Sequence, residues 1–218
     1  MTSLINNQSK VICHSNFAHN ELSDLLHNQK TNIVESSLPS QHPLVTKKYH
    51  TKLNIAVSGH ISKEKGLSEL LKIFHDYSDK YNFLVFGHSS FDDAYNELQR
   101  FAKNKVIKLY TNVTDYEFES LLDKADFLIN LRTDYHGEAS KTVIEAMRQG
   151  VIPIVTNIGW FAELPDHLVI KVDDVKSVFK ILSEENSLLK YRSNFPFNEL
   201  SKYLKTISYT KYLEESFC

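Results

Sequence analysis

The chain has 218 residues, of which 42% are hydrophobic and 24% charged, a globular composition that excludes gross disorder and allows one domain with additions or two small ones. Lys and Arg number 25 against 27 Asp and Glu, a net charge of −2, which excludes the broad basic footprint of a nucleic-acid binder. No apolar run approaches the ~18 residues of a membrane helix, MTSLINNQSK lacks the apolar core of a signal peptide, and the two cysteines, Cys13 and Cys218, fit neither a disulfide framework nor a metal cluster.

In chain order, KVICHS (10–15) reads as a short strand. NFAHNELSDLLHN (16–28) carries Phe17, Leu22, Leu25 and Leu26 at near-helical spacing, with Asn16 as the expected N-cap. TNIVESSLP (31–39) reads as a second strand and 40–52, with Pro43 and several cations, as a linker. A regular alternation then begins. LNIAVSGH (53–60) is a strand, and Leu67, Leu70, Leu71, Phe74 and Tyr77 form one apolar stripe of a helix over 66–81. Strands are expected at 81–90, 106–112, 125–132, 151–157 and 168–173, and helices at 92–104, 114–125, 140–150 and 175–185. Thr114 and Glu117 have capping-box spacing, Ser140 is an N-cap and Gly150 a C-terminal cap. The tail from 188 to 218 is amphipathic and reads as helical.

Continuous apolar strands alternating with helices predict an α/β fold, a doubly wound parallel sheet covered on both faces. Such sheets bind ligands beyond the carboxyl ends of their strands. That rule singles out the loops at 59–66, 87–92, 111–115, 132–140 and 157–163, and the turns at Gly59, Gly87 and Thr111–Asn112 are expected on one edge. In GHISKEKG, Gly59 permits a sharp turn, and Lys65 stands where the next helix begins, a position suited to a phosphate. A solvated lysine on an ordinary turn is the plain alternative. A G-x-G-x-x-G fingerprint is missing there, which disfavours a nicotinamide dehydrogenase. Arg132 directly follows a strand, Glu138 lies in the loop before a helix, and Glu145 comes 145 − 138 = 7 residues later, about two helical turns. A carboxylate there can accept hydrogen bonds from sugar or ribose hydroxyls; surface salt bridges are the alternative. Trp160 and Phe161 either line a pocket or pack in the core.

The order of these motifs resembles the C-terminal, donor-binding half of a retaining glycosyltransferase of GT-B architecture, of the group 1 or family 4 type. GHISKEKG is similar to the family's Gly-Arg…Lys-Gly loop. VIKLYTNVTDYEFESLLDKADFLINL resembles the segment before the site, and GEASKTVIEAMRQGVIPIVTNIGWFAELPD the paired-glutamate motif with its following strand. His60 stands where the arginine is usual, and the two glutamates are one residue closer than is common, so that Gly137 falls on the first one's position. The resemblance implies catalytic roles for Lys65, Arg132 and Glu138. It implies donor contacts from Gly59, His60, Lys65, Thr111, Asn112, Ser140, Lys141, Thr142 and Glu145, with Glu145 on the ribose, and neither a metal nor another cofactor.

The expected domains are residues 1–50, a remnant of an N-terminal domain plus linker; 51–187, the Rossmann-like donor domain; and 188–218, a helical tail. The expected function is a group 1 glycosyltransferase donor domain. It would bind a nucleotide-diphosphate sugar for transfer to a glycan or lipid-linked acceptor in surface polysaccharide synthesis. With most of the acceptor domain missing, it would be weakly active alone. The alternative is a non-catalytic nucleotide-binding or assembly module that acts with a partner chain. Residues 10–40 are expected to pack on the main domain or to self-associate through Val11, Ile12, Phe17, Leu22 and Leu25. The expected setting is cytoplasmic, with the inner face of the membrane as a candidate location.

Overall fold

Short apolar runs at the N-terminus form a small parallel unit: β1 (Lys10–Cys13) and β2 (Asn32–Glu35) pair in parallel, with α1 (Asn16–Leu25) between them in sequence. The computed structural model describes residues 10–26, 32–35, 50–61, 66–89, 93–133 and 139–206. The alternation expected from residue 53 onward is present: β3 (Asn54–Ile61), α2 (Leu67–Tyr77), β4 (Asn82–Ser89), α3 (Asp93–Lys103), β5 (Lys108–Thr111), α4 (Asp115–Asp123), β6 (Phe127–Asn130), α5 (Lys141–Arg148) and β7 (Ile152–Thr156). A one-turn helix α6 (Trp160–Glu163), β8 (Ile170–Val172), α7 (Val175–Ser183), α8 (Glu185–Ser193) and α9 (Phe197–Thr206) follow.

Six strands form one all-parallel sheet in the order β5-β4-β3-β6-β7-β8. This is the doubly wound arrangement. From β3 the chain builds outward through β4 to β5, then crosses back to β6 and builds the other way. Burial on both faces explains the unbroken apolar runs: Ile55, Ala56 and Val57 of β3 and Phe127, Leu128 and Ile129 of β6 are all 4% exposed or less. α2 packs against α3 and α7, and α5 against α9. Phe74 of α2 stacks on Phe83 of β4 with centroids 4.0 Å apart. The buried Tyr81 keeps its hydroxyl satisfied by donating to the Leu182 carbonyl of α7 at 2.8 Å.

Local signals hold at several caps. Thr114 Oγ1 accepts from the Glu117 amide at 3.3 Å, and the Glu117 carboxylate accepts from the Thr114 amide at 2.8 Å. Ser140 caps α5, and Gly150 follows it with φ 69°. Four readings are corrected. Ser15, not Asn16, caps α1, accepting from Ala18 N at 3.0 Å; the Asn16 amide is taken by a distant carboxylate instead. Gly59 and Gly87 do not turn the chain. Their strands run on to Ile61 and Ser89, and Gly87 allows the Gly59 backbone to come close. The loop read at 157–163 holds the short helix α6; of the two places left open for Trp160 and Phe161, they take the core, at 6% and 0% exposure. The tail is two helices rather than one. Pro196 lies between them and stands one residue before α9, where a missing amide is tolerated. Residues 207–218 lie outside the described residues.

At the opposite end of the sheet from the strand C-termini, Asp126 is fully buried. It accepts from the Asn54 amide at 2.9 Å, contacts His50 Nδ1 at 3.0 Å and pairs with Arg192 Nε of α8 at 3.5 Å. The segment before β3, the sheet and α8 thus meet at one carboxylate. No helix among the described residues is long and apolar enough to cross a membrane.

Candidate functional site

All six strands point their carboxyl ends to one edge, where the loops singled out in the sequence leave the sheet. Gly59, Gly87 and Thr111 occupy one row across β3, β4 and β5. Asn112 adopts φ 54° and donates its amide to the Gly87 carbonyl at 2.8 Å, closing the end of β5. The order of strands reverses between β3 and β6, and a crevice outside their carboxyl ends is where doubly wound sheets take ligands.

A cavity of about 350 Å³ opens at this edge. Lys141, Thr142 and Glu145 of α5 form one wall; His88 at the end of β4 and Val113, Asp115, Phe118 and Glu119 at the start of α4 form the rest. Ser140 anchors the α5 wall. Its hydroxyl accepts from Val143 N at 3.4 Å and lies 3.5 Å from Asn130 Nδ2 at the end of β6, so the helix begins at a fixed place above the sheet. Glu145 is buried, at 6% exposure, one turn into α5. Burial lowers the pKa of Arg148 from its ordinary value, and the nearby Glu145 carboxylate opposes the shift. The two charges therefore sense each other along one helix face. Phe118 packs edge-on against Phe86 of β4, centroids 5.3 Å apart, which fixes an aromatic and aliphatic floor beside polar walls. The polar walls carry three carboxylates, Asp115, Glu119 and Glu145, and one cation, Lys141, a lining that can accept hydrogen bonds from ligand hydroxyls beside an apolar floor.

Arg132 lies at the same edge, half-buried. Its amide donates to Thr156 Oγ1 at 3.0 Å, and its guanidinium lies over the Phe161 ring, 4.6 Å from the centroid. The buried α6 aromatic thus carries the cation near the end of β6. His60 is the β3 residue in register with His88. Of the residues expected at the site, Lys141, Thr142 and Glu145 line the cavity, and Ser140 supports it. Gly59, Thr111, Asn112 and Arg132 stand at the same edge without lining that cavity. Lys65, Gly137 and Glu138 fall outside the described residues. The sequence reading missed His88, Val113, Asp115, Phe118 and Glu119 as lining residues. Their signal was present: two loops had been marked, and 115, 118 and 119 share one helix face. A larger hollow of about 550 Å³ between the Asp166–His167 turn and α8–α9 holds none of the expected site residues. No cluster of His, Cys, Asp and Glu suited to a metal occurs among the described residues.

The family model "Glycosyl transferases group 1" matches residues 41–182. No curated protein is similar enough in sequence to count as a match. Among solved structures, TarM superposes with a TM-score of 0.72 at 12% identity, over 94% of this chain and 42% of TarM. The pneumococcal O-GlcNAc transferase GtfA, solved with UDP and GlcNAc, superposes with a TM-score of 0.69 at 15% identity, over 94% of this chain and 43% of GtfA. The C-terminal domain of the group 1 family protein LpcC from Francisella tularensis superposes with a TM-score of 0.54 at 18% identity, over 78% of this chain and 94% of that domain. At these identities the likeness is one of fold. The chain spans less than half the length of TarM and GtfA.

Proposed function

This chain belongs to the group 1 glycosyl transferases, and we propose that it binds a uridine-diphosphate sugar at the carboxyl edge of its sheet and acts as the donor side of a glycosyl transfer. The observation that carries this reading is the cavity in which Glu145, Thr142 and Lys141 of α5 face the floor made by Val113 and Phe118. The base lies against that floor. The Glu145 carboxylate accepts from the ribose hydroxyls, as an acceptor-only group suits. Lys141 and Arg132 face the diphosphate, Lys65 is assigned to it from the sequence, and the N-terminus of α5 adds its amides and dipole. The choice of uridine follows GtfA, whose structure holds UDP.

In the transfer, the bond between the anomeric carbon and the diphosphate oxygen breaks. UDP leaves with the electron pair, the sugar joins an acceptor hydroxyl, and the leaving phosphate oxygen takes that hydroxyl's proton. Charge develops on the leaving diphosphate, so fixed cations at that point stabilise the transition state more than the ground state. They supply the positive charge that a metal would otherwise provide, and we assign no metal to the reaction. Glu138 is assigned to the sugar, configuration is retained, and the acceptor is a glycan or a lipid-linked saccharide bound opposite the edge.

Calorimetry with UDP, uridine and NAD tests the reading. UDP is expected to bind, uridine more weakly, and NAD not at all. NAD binding without UDP binding would overturn it.

A further inference from the structure

Glu163 ends α6 on the ligand edge, yet its carboxylate serves another part of the chain. Oε1 accepts from the Phe17 amide at 2.7 Å and Oε2 from the Asn16 amide at 3.1 Å, across 146 and 147 residues. Together with Ser15 Oγ on Ala18 N at 3.0 Å, these contacts satisfy the first three amides of α1. The anion also complements the positive end of the helix. α6 itself is held from behind, because Lys171 Nζ donates to the Ala162 carbonyl at 2.8 Å and pairs with Asp166 at 2.6 Å. Two residues before Glu163, Phe161 carries the Arg132 guanidinium. The Tyr203 hydroxyl of α9 has its pKa raised, first by burial and then by the Glu163 charge, so the C-terminal helix is near the same carboxylate.

We propose that Glu163 is a positioning residue, a clasp that fixes the 10–35 unit against the donor edge and couples that unit to donor binding through α6 and Arg132. The proposal rests on the donor-site reading for its coupling half only; the clasp itself stands on the hydrogen bonds. Glu163 makes no donor contact in this scheme. Its loss should therefore release α1 and change nucleotide affinity only indirectly, by the same factor with which UDP slows α1 exchange in the parent. Three features favour a clasp over an ordinary surface contact. Both carboxylate oxygens are used, the partners are backbone amides that no side-chain change can remove, and the two segments are distant in sequence.

Amide hydrogen exchange on the full chain, parent and E163A, with and without UDP, is the test. In the parent, α1 should exchange slowly and slow further when UDP protects α5. In E163A, α1 should exchange about tenfold faster or more, and UDP should protect α5 while no longer affecting α1. The UDP dissociation constant should rise in E163A by the factor by which UDP slows α1 exchange in the parent, since the coupling is reciprocal. E163D keeps the charge but not the reach and should resemble E163A, whereas S15A should loosen α1 yet keep its response to UDP. If E163A fails to fold, E163Q, which keeps the volume and loses one acceptor, replaces it. Equal α1 exchange in parent and variant overturns the clasp. An α1 response to UDP that survives in E163A overturns the coupling. UDP protecting neither segment in the parent overturns the donor reading, while the ligand-free α1 exchange still decides the clasp.

Discussion

Gly59 and Gly87 stand opposite each other on β3 and β4, and a Cβ on Gly87 would lie 2.0 Å from the Gly59 carbonyl oxygen. Gly87 also has φ +141°, which side chains rarely adopt. His88, the next residue of β4, lines the cavity at the carboxyl edge, so this close approach bears on where His88 emerges. Gly87→Ala should lower stability by about 2–3 kcal/mol, through strained backbone and overpacking together. Urea denaturation checks it: an unchanged midpoint would mean that the strands part at no cost.

Asp126 and Arg192 form a buried pair at the other end of the sheet, 0% and 2% exposed. Breaking such a pair from one side costs about 3–5 kcal/mol, because the remaining charge stays buried. Asp126→Leu should show that loss, and also strands the Asn54 amide. Adding Arg192→Met should recover part of it. A double-mutant cycle by thermal or chemical unfolding reads the coupling, and additive losses would argue against a pair.

The two ends of the proposed nucleotide site should separate by mutation. Arg132→Ala and Lys65→Ala should each weaken UDP by about 1.5–3 kcal/mol, the range for hydrogen bonds to charged groups, and spare uridine. Glu145→Gln should weaken uridine and UDP by similar amounts, since it acts at the ribose. Full UDP affinity at low salt in both cation variants would leave these cations out of the site.

Three carboxylates make stability fall in acid. Hydrogen bonds from the Thr114 amide and hydroxyl lower the Glu117 pKa. The Ser177 hydroxyl and amide lower that of Asp174, and the Lys171 ammonium that of Asp166. A folded-state pKa below the unfolded one adds stability above the unfolded value, and that stability is lost as pH falls through the folded value. Melting temperature should therefore hold near neutrality and drop as pH falls below the ordinary carboxylate range, about 4. Asp174→Asn should flatten part of the drop; an identical profile would sink the assignment.

Much of this protein was legible in its sequence. Continuous apolar runs between amphipathic segments determine strands buried on both faces, and hence a parallel doubly wound sheet. The Thr114–Glu117 spacing and Ser140 mark helix starts because capping is local, completed within three residues. The carboxyl edge was legible too, since parallel strands send all their carboxyl ends one way; Glu145 was reached from its spacing and Lys141 and Thr142 only from the family resemblance, and all three line the cavity at that edge. The tertiary structure alone decided the rest. Nothing near Gly87 shows that Gly59 needs its space, nothing near Asp126 shows that Arg192 will be buried beside it, and nothing near Asn16 shows that Glu163 will take its amide. Each of these is a contact between segments distant in sequence, where burial and hydrogen-bond satisfaction are settled by what arrives from elsewhere in the chain, and periodicity and spacing carry no record of that.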